Sequence, residues 1–113
     1  MAALRDRAER SKPLPGYVTM ARAIFDGVVV AESDDVKRIE GITYFPKTDV
    51  DQSRLIETPT TSQCFWKGKA SYYSVEGASD IAVDAAFQYK KPWPLARKLV
   101  NDRIGFWREV EIA

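Results

Sequence analysis

From Ile81 to Tyr89 the chain alternates without a break: Ile81, Val83, Ala85, Phe87 and Tyr89 share one parity, with Ala82, Asp84, Ala86 and Gln88 between them. A period of two puts one set of side chains on one face of a strand, so this segment must be a half-buried strand. Turn residues cut much of the remaining chain into pieces of similar length. Asp26-Gly27 separates Ala21–Phe25 from Val28–Ser33 and is the strongest short hairpin signal in the sequence. Asp34-Asp35 makes the next turn, Gly41 divides Val36–Glu40 from Ile42–Phe45, and Pro46 closes that strand because it has no N–H for the ladder. Trp66–Glu76 reads as a strand turning at Gly77, and Ile104–Ile112 as the last strand. In that last strand Ile104, Phe106, Val110 and Ile112 face one way, with Arg108 among them. Residues 47–63, polar and holding Pro59 and several threonines, read as a long irregular loop, a feature that in small domains often carries function. Pro92 and Pro94 bracket Trp93 in a connector, and Leu95–Val100 supplies one or two helical turns. The pattern predicts an all-β fold of seven or eight short strands, a two-sheet antiparallel sandwich or partly open barrel with one short helical connector.

Residues 1–19 read as an N-terminal extension, interrupted by Pro13, Pro15 and Gly16, and 20–113 as a single domain. The extension holds the local basic bias: residues 1–12 carry four basic and two acidic side chains, and the rest carries 13 basic and 14 acidic. A net charge of +1 gives no bulk attraction for nucleic acid, so the sequence argues against such a partner. Lys90, Lys91, Arg97, Lys98 and Arg103 around Trp93 are the one local exception. No apolar run approaches a membrane span, and the charged N-terminus lacks a secretory core, which together predict a cytoplasmic protein with no membrane partner.

The chain has no histidine and one cysteine. That removes Ser-His-Asp and Cys-His catalysis and the common structural zinc sites. No metal and no cofactor is expected. The single cysteine, Cys64, lies in Thr60–Val75, TTSQCFWKGKASYYSV, beside Phe65, Trp66, Lys67 and Gly68. Cys64 has two readings. It is a nucleophile whose thiolate Lys67 would favour, or a small buried apolar side chain, which the missing histidine base favours. Lys67 would bind an anionic group, with Gly68 allowing close approach of the backbone, or form an ion pair with Glu32 or Glu40. Glu32 and Glu40 lie on successive strands across Asp34-Asp35, so the two carboxylates could meet in one cleft as acid and base. Tyr72 and Tyr73 point to opposite faces of their strand, so only one of them can line that cleft.

The segments ARAIFDGVVVAES, RIEGITYFP and TTSQCFWKGKASYYSV, in this order from about Ala21 to Glu109, resemble the bacterial domain of unknown function 427 family. Domain collections sometimes label it nucleotidyltransferase-like. The resemblance implies a β-tent-like fold, two antiparallel sheets leaning together over a cleft. It also implies that Glu32, Ser33, Glu40, Tyr44, Asp49, Thr61, Cys64, Lys67 and Tyr73 match the family's characteristic polar positions. The sequence departs from the family pattern at Phe65, where proline is usual, and at Phe87, where tryptophan is common.

Three functions stay open at this point. One is a domain, with or without a weak catalytic activity, that holds a small anionic metabolite. In it Lys67 binds the anion, Glu40 and Glu32 orient it or act as acid and base, and Tyr44 with Tyr73 lines the pocket beside Cys64. The other is a non-catalytic protein-interaction module, gripping a partner through the cleft or the 47–63 loop, or pairing two copies as a homodimer through exposed strands. A thiol-redox role for Cys64 is a third, and it would need an external thiol because no second cysteine is present.

Overall fold

The computed structural model describes residues 20–113; the expected N-terminal extension lies outside the described residues. Strands β1 (Ala21–Phe25) and β2 (Val28–Ser33) form a hairpin, and β1 also pairs with the short last strand β9 (Glu111–Ile112), giving a three-stranded antiparallel sheet. The second sheet has six strands in the order β3-β4-β8-β7-β6-β5. These are β3 (Lys37–Ile39), β4 (Ile42–Pro46), β5 (Leu55–Cys64), β6 (Gly68–Glu76), β7 (Ile81–Gln88) and β8 (Arg103–Phe106). A 3₁₀ turn at Pro94–Ala96 runs into a short helix, α1 (Arg97–Val100). Among the described residues the architecture is all-β, with two antiparallel sheets and no closed barrel, as the sequence predicts. Among the described residues no helix is long and apolar enough to cross a membrane.

Two turns have the backbone that a two-residue hairpin requires. Asp26 and Gly27 have φ of 50° and 75°, and Glu40 and Gly41 have φ of 55° and 81°. Positive φ at both central positions matches the twist of the flanking strands. The first turn reaches across to the other sheet. Asp26 Oδ2 accepts from the Ser79 and Asp80 backbone N–H groups at 2.7 and 2.9 Å, in the β6–β7 turn. Those bonds, Ser79 first, hold its carboxyl below the ordinary value. The approach is close enough that a Cβ on Gly77 would lie 2.3 Å from Asp26 Cβ.

The two sheets enclose an apolar core built from Phe25, Val30, Phe45, Val75, Ile104 and Phe106 among others. The opposite face of the six-stranded sheet carries a second cluster around Tyr44, Phe87 and Tyr89, covered by the 89–100 segment. The alternation in β7 is interrupted near its middle, where Ala85 joins the core between the sheets beside Ala86, and of the alternating set only Phe87 and Tyr89 join the second cluster. Phe87 and Tyr89 are covered there, whereas Ile81 and Val83 are exposed. Their neighbours Ala82 and Ala86 face the core between the sheets.

Residues 55–64 correct the expectation of a loop over 47–63. Two 3₁₀ turns, Lys47–Asp49 and Gln52–Arg54, lead into a ten-residue strand. It is the edge of the sheet and most of its side chains meet water, so it has no apolar alternation to betray it. Pro59 sits in a bulge where Thr58–Thr60 oppose the single Tyr72. Beside it, Val83–Ala85 of β7 bulge against the single Ser74 of β6. The expected strand Ile104–Ile112 is also two strands, in different sheets. The chain leaves β8 after Phe106, turns with Arg108 at φ 58°, and enters β9.

The two bulges are joined. Thr58 Oγ1 and Thr60 Oγ1 donate to the two carboxylate oxygens of Asp84 at 2.6 and 2.8 Å. These bonds, Thr58 first, hold the carboxyl pKa of Asp84, whose φ is 54°, below its ordinary value. A carboxylate held this way contributes stability at neutral pH and loses it as the pH falls through its depressed folded-state value. Asp84→Ala should lower the unfolding free energy by about 1–2 kcal/mol, the low end for charge-assisted bonds because the carboxylate is open to water. Urea denaturation measures this as a lower midpoint, and an unchanged midpoint would show the bulges need no tie. Gly77→Ala should cost about 1–3 kcal/mol through the overlap with Asp26, read from the same denaturation curves.

Candidate functional site

Cross-strand register places the site. Tyr72 of β6, Phe87 of β7, Gly105 of β8 and Tyr44 of β4 lie in one row. They therefore share the outer face of the six-stranded sheet. Phe87 is the hub of that row, with ring centroids 5.9 Å from Tyr44, 5.6 Å from Tyr72, 6.2 Å from Tyr89 and 6.0 Å from Trp107. Tyr73 belongs to the next row, with Ala86, Phe106 and Thr43. It faces the inter-sheet core and donates its hydroxyl to Gln88 Oε1 at 3.1 Å.

The turn between β5 and β6 folds over this face. Gly68 has φ of 105°, and a Cβ there would stand 3.1 Å from the Trp93 ring, so glycine serves both the backbone and the packing. The Trp93 N–H donates to the Lys67 carbonyl at 3.1 Å and ties the connector to the turn.

Lys67 is the unusual residue. Its side chain is 5% exposed, and its ammonium bonds Glu40 Oε1 from the tip of the β3–β4 hairpin. Glu40 itself is 57% exposed. The Lys67 bond is the main cause holding the Glu40 carboxyl below its ordinary value, with some desolvation opposing it and the Trp66 side chain assisting. The ammonium also lies 4.6 Å from the Trp66 ring centroid and 5.7 Å from that of Tyr89, over electron-rich faces that offset part of its lost hydration.

Cys64 is free and half-buried beside this pair. Desolvation pushes its thiol up, but the backbone N–H groups of Trp66 and Lys67 and the Lys67 ammonium outweigh it, and the net shift is downward. Burial pushes Tyr89 up to about 12 and raises Tyr44 as well. Both phenols therefore stay neutral, and remain donors, across the physiological range.

The structure thus brings Glu40, Tyr44, Cys64 and Lys67 together. It does not bring Glu32 or Tyr73 to them. Glu32 stands in the three-stranded sheet, where Arg22 Nε binds it at 2.5 Å, so the two glutamates serve different cations on different sheets. Ser33 is buried and accepts from the Asp35 N–H at 3.0 Å, Asp49 is buried in a 3₁₀ turn, and Thr61 is exposed on the edge strand. Of the basic cluster, Lys90 is paired with Glu57 and Arg103 with Asp35, while Lys91, Arg97 and Lys98 are exposed. The residue that sequence reasoning passed over is Tyr89. Its parity with Phe87 was the available signal, since two residues of equal parity share a face.

Alkylation of Cys64 by iodoacetamide should reach half its maximal rate at a lower pH than for an ordinary free thiol, because a lowered thiol pKa fills the thiolate at lower pH. Lys67→Met should move that midpoint upward. A wild-type midpoint at the ordinary thiol position would mean the neighbouring donors do not act on the sulfur.

The family model described as a domain of unknown function (DUF427), with the short name NTP_transf_9, matches residues 17–112. No curated protein matches the sequence. With the match spanning nearly all of the chain, the protein belongs to the domain of unknown function 427 family.

Proposed function

We propose that this domain binds a small anionic metabolite on the outer face of the six-stranded sheet, with Lys67 as the anchor. The observation that carries the reading is the asymmetry of the Lys67–Glu40 pair. The ammonium is enclosed, yet its carboxylate partner is more than half exposed. A lysine has three donors, and one is spent on Glu40. An incoming carboxylate or phosphate can take a free donor, or replace Glu40 by letting a surface side chain swing into water. An anion that takes the place of Glu40 keeps the enclosed ammonium partnered, which matters because a buried charge that loses its partner is costly. The short family name invites a nucleotidyl-transfer reading, and a phosphate is among the anions such an anchor would take. The aromatic walls supplied by Trp66 and Tyr89 suit a small planar ligand. We place the protein in the cytoplasm, where a lone thiol stays reduced.

A protein-binding surface is the second reading. Phe65 is 88% exposed in the β5–β6 turn, and Leu95 is exposed in the connector whose Trp93 packs on that turn. A thermal-shift screen of wild type and Lys67→Met with nucleotides, sugar phosphates and small carboxylic acids separates the two. A ligand at 100 times its dissociation constant should add about 2.7 kcal/mol, several degrees for a domain this size. Lys67→Met should stay folded and lose the response. If no anion shifts the wild-type protein, the binding reading is wrong, and the exposed Phe65–Leu95 side becomes the object of the search.

A further inference from the structure

The chain is close to neutral as a whole, but its charge is not spread evenly. Two segments, 58–75 and 85–101, hold no acidic residue and six basic ones: Lys67, Lys69, Lys90, Lys91, Arg97 and Lys98. The rest of the chain carries 11 basic side chains against 16 acidic ones. The fold brings the two segments together. The Trp93 N–H bonds the Lys67 carbonyl at 3.1 Å, and the Trp93 ring lies against Gly68. Lys67 and Lys90 have carboxylate partners in Glu40 and Glu57. Lys69, Lys91, Arg97 and Lys98 are exposed and form no ion pair among the described residues.

The same junction carries the two most exposed large apolar side chains among the described residues. Phe65 is 88% exposed and Leu95 is 86% exposed. Phe65 lies two residues from Lys67 and Leu95 two residues from Trp93, so each is within about 7 Å of chain from the Trp93–Lys67 bond. Trp93 itself is 42% exposed. Exposed apolar residues scattered singly are ordinary, but here two nearly bare ones flank a half-exposed tryptophan within a basic region free of acids. We propose that this end of the domain docks on an anionic lipid surface. Phe65 and Leu95 enter the acyl boundary, Trp93 sits at headgroup depth, and Lys69, Lys91, Arg97 and Lys98 meet the headgroup phosphates.

The charge and the shape of this end both favour lipid. Four exposed cations without carboxylate partners are attracted to anionic headgroups, each adding to the binding. Side chains as exposed as Phe65 and Leu95 stand clear of the surface, and a bilayer takes projecting apolar groups without offering a matching pocket. A single-stranded nucleic acid would stack its bases on rings, which Leu95 lacks. Tryptophan, apolar in body with one N–H donor, suits the boundary between acyl chains and headgroups. Docking of this kind needs no spanning segment, so the lack of one, which argued against a membrane partner, does not bear on it. The inference is independent of the Lys67 anchor, because that ammonium is enclosed and bonded to Glu40. It assigns the Phe65–Leu95 side to lipid instead of protein.

Co-sedimentation of the full chain with lipid vesicles tests this. The protein should pellet with vesicles of equal parts phosphatidylglycerol and phosphatidylcholine, and stay in solution with phosphatidylcholine alone. Added salt should release it, because headgroup attraction is screened. Phe65→Ser combined with Leu95→Ser should weaken partitioning about a hundredfold and leave the salt dependence in place. Lys91→Gln combined with Lys98→Gln should weaken it about tenfold and flatten the salt dependence. All four positions are exposed, so both variants should keep the wild-type thermal midpoint. Wild-type protein that ignores both kinds of vesicle would overturn the proposal, and so would a Phe65→Ser/Leu95→Ser variant that pellets like wild type. Binding of a fluorescent oligothymidine in place of vesicles would overturn it and give the basic end to single-stranded nucleic acid. A dimer that Phe65→Ser dissolves, with no vesicle binding, would overturn it in favour of a second copy of the chain.

Discussion

The bulge at Val83–Ala85 is the constraint on which much else hangs. Three extra-ladder carbonyls in the middle of a sheet must find donors, since buried or half-buried backbone acceptors are seldom left empty. All three find them in the segment that follows β8. The Trp107 N–H bonds Ala85 O at 3.0 Å, Trp107 Nε1 bonds Asp84 O at 2.8 Å, and an Arg108 guanidinium nitrogen bonds Val83 O at 3.3 Å. The chain is thereby held where it leaves the six-stranded sheet for the three-stranded one. The matching bulge in β5 supplies Thr58 and Thr60 to the Asp84 carboxylate, so three separate segments meet at one irregularity. Such bulges redirect a strand without changing which residues share a face when an even number of residues is inserted, as here.

Preserved parity is what lets one sheet serve two purposes. Its inner face, through Phe45, Val75, Ala86 and Phe106, closes the core against the small sheet. Its outer face, past the bulge, collects Tyr44, Tyr72, Phe87 and Tyr89 around a single ring. That aromatic floor is where the Cys64–Gly68 turn and the Trp93 connector come to rest, and it gives the Lys67 ammonium a setting of rings in place of water. The electrostatics of the site thus depend on packing: the same lysine on an open turn would be hydrated and its charge screened by water.

Much of this was legible in the residues. Asp26-Gly27 announces a tight hairpin because few other pairs tolerate positive φ at both positions, and Gly41 announces a break between two strands, which the structure makes a second hairpin. The alternation from Ile81 announces a strand, and the cluster Cys64, Lys67, Gly68 announces a site. Strand β5 was hidden for a physical reason: an edge strand wet on most positions carries no apolar pattern, and Pro59 in its bulge looks like a loop residue. The β8–β9 break was hidden because both strands face the same core, so Ile104, Phe106 and Val110 keep a shared apolar face across a change of sheet.

By itself the sequence determined the all-β class, most of the hairpins, the absence of histidine chemistry, and the candidates Glu40, Tyr44, Cys64 and Lys67 as residues of interest. These follow from local rules: side-chain period, turn backbone and the inventory of titratable groups. Only the tertiary structure decided which candidates meet. Glu32 goes to Arg22, Tyr73 to Gln88, and Tyr89 takes the place beside Tyr44. Pairing register sets that outcome, and register is a relation between strands distant in the chain, which no local pattern encodes.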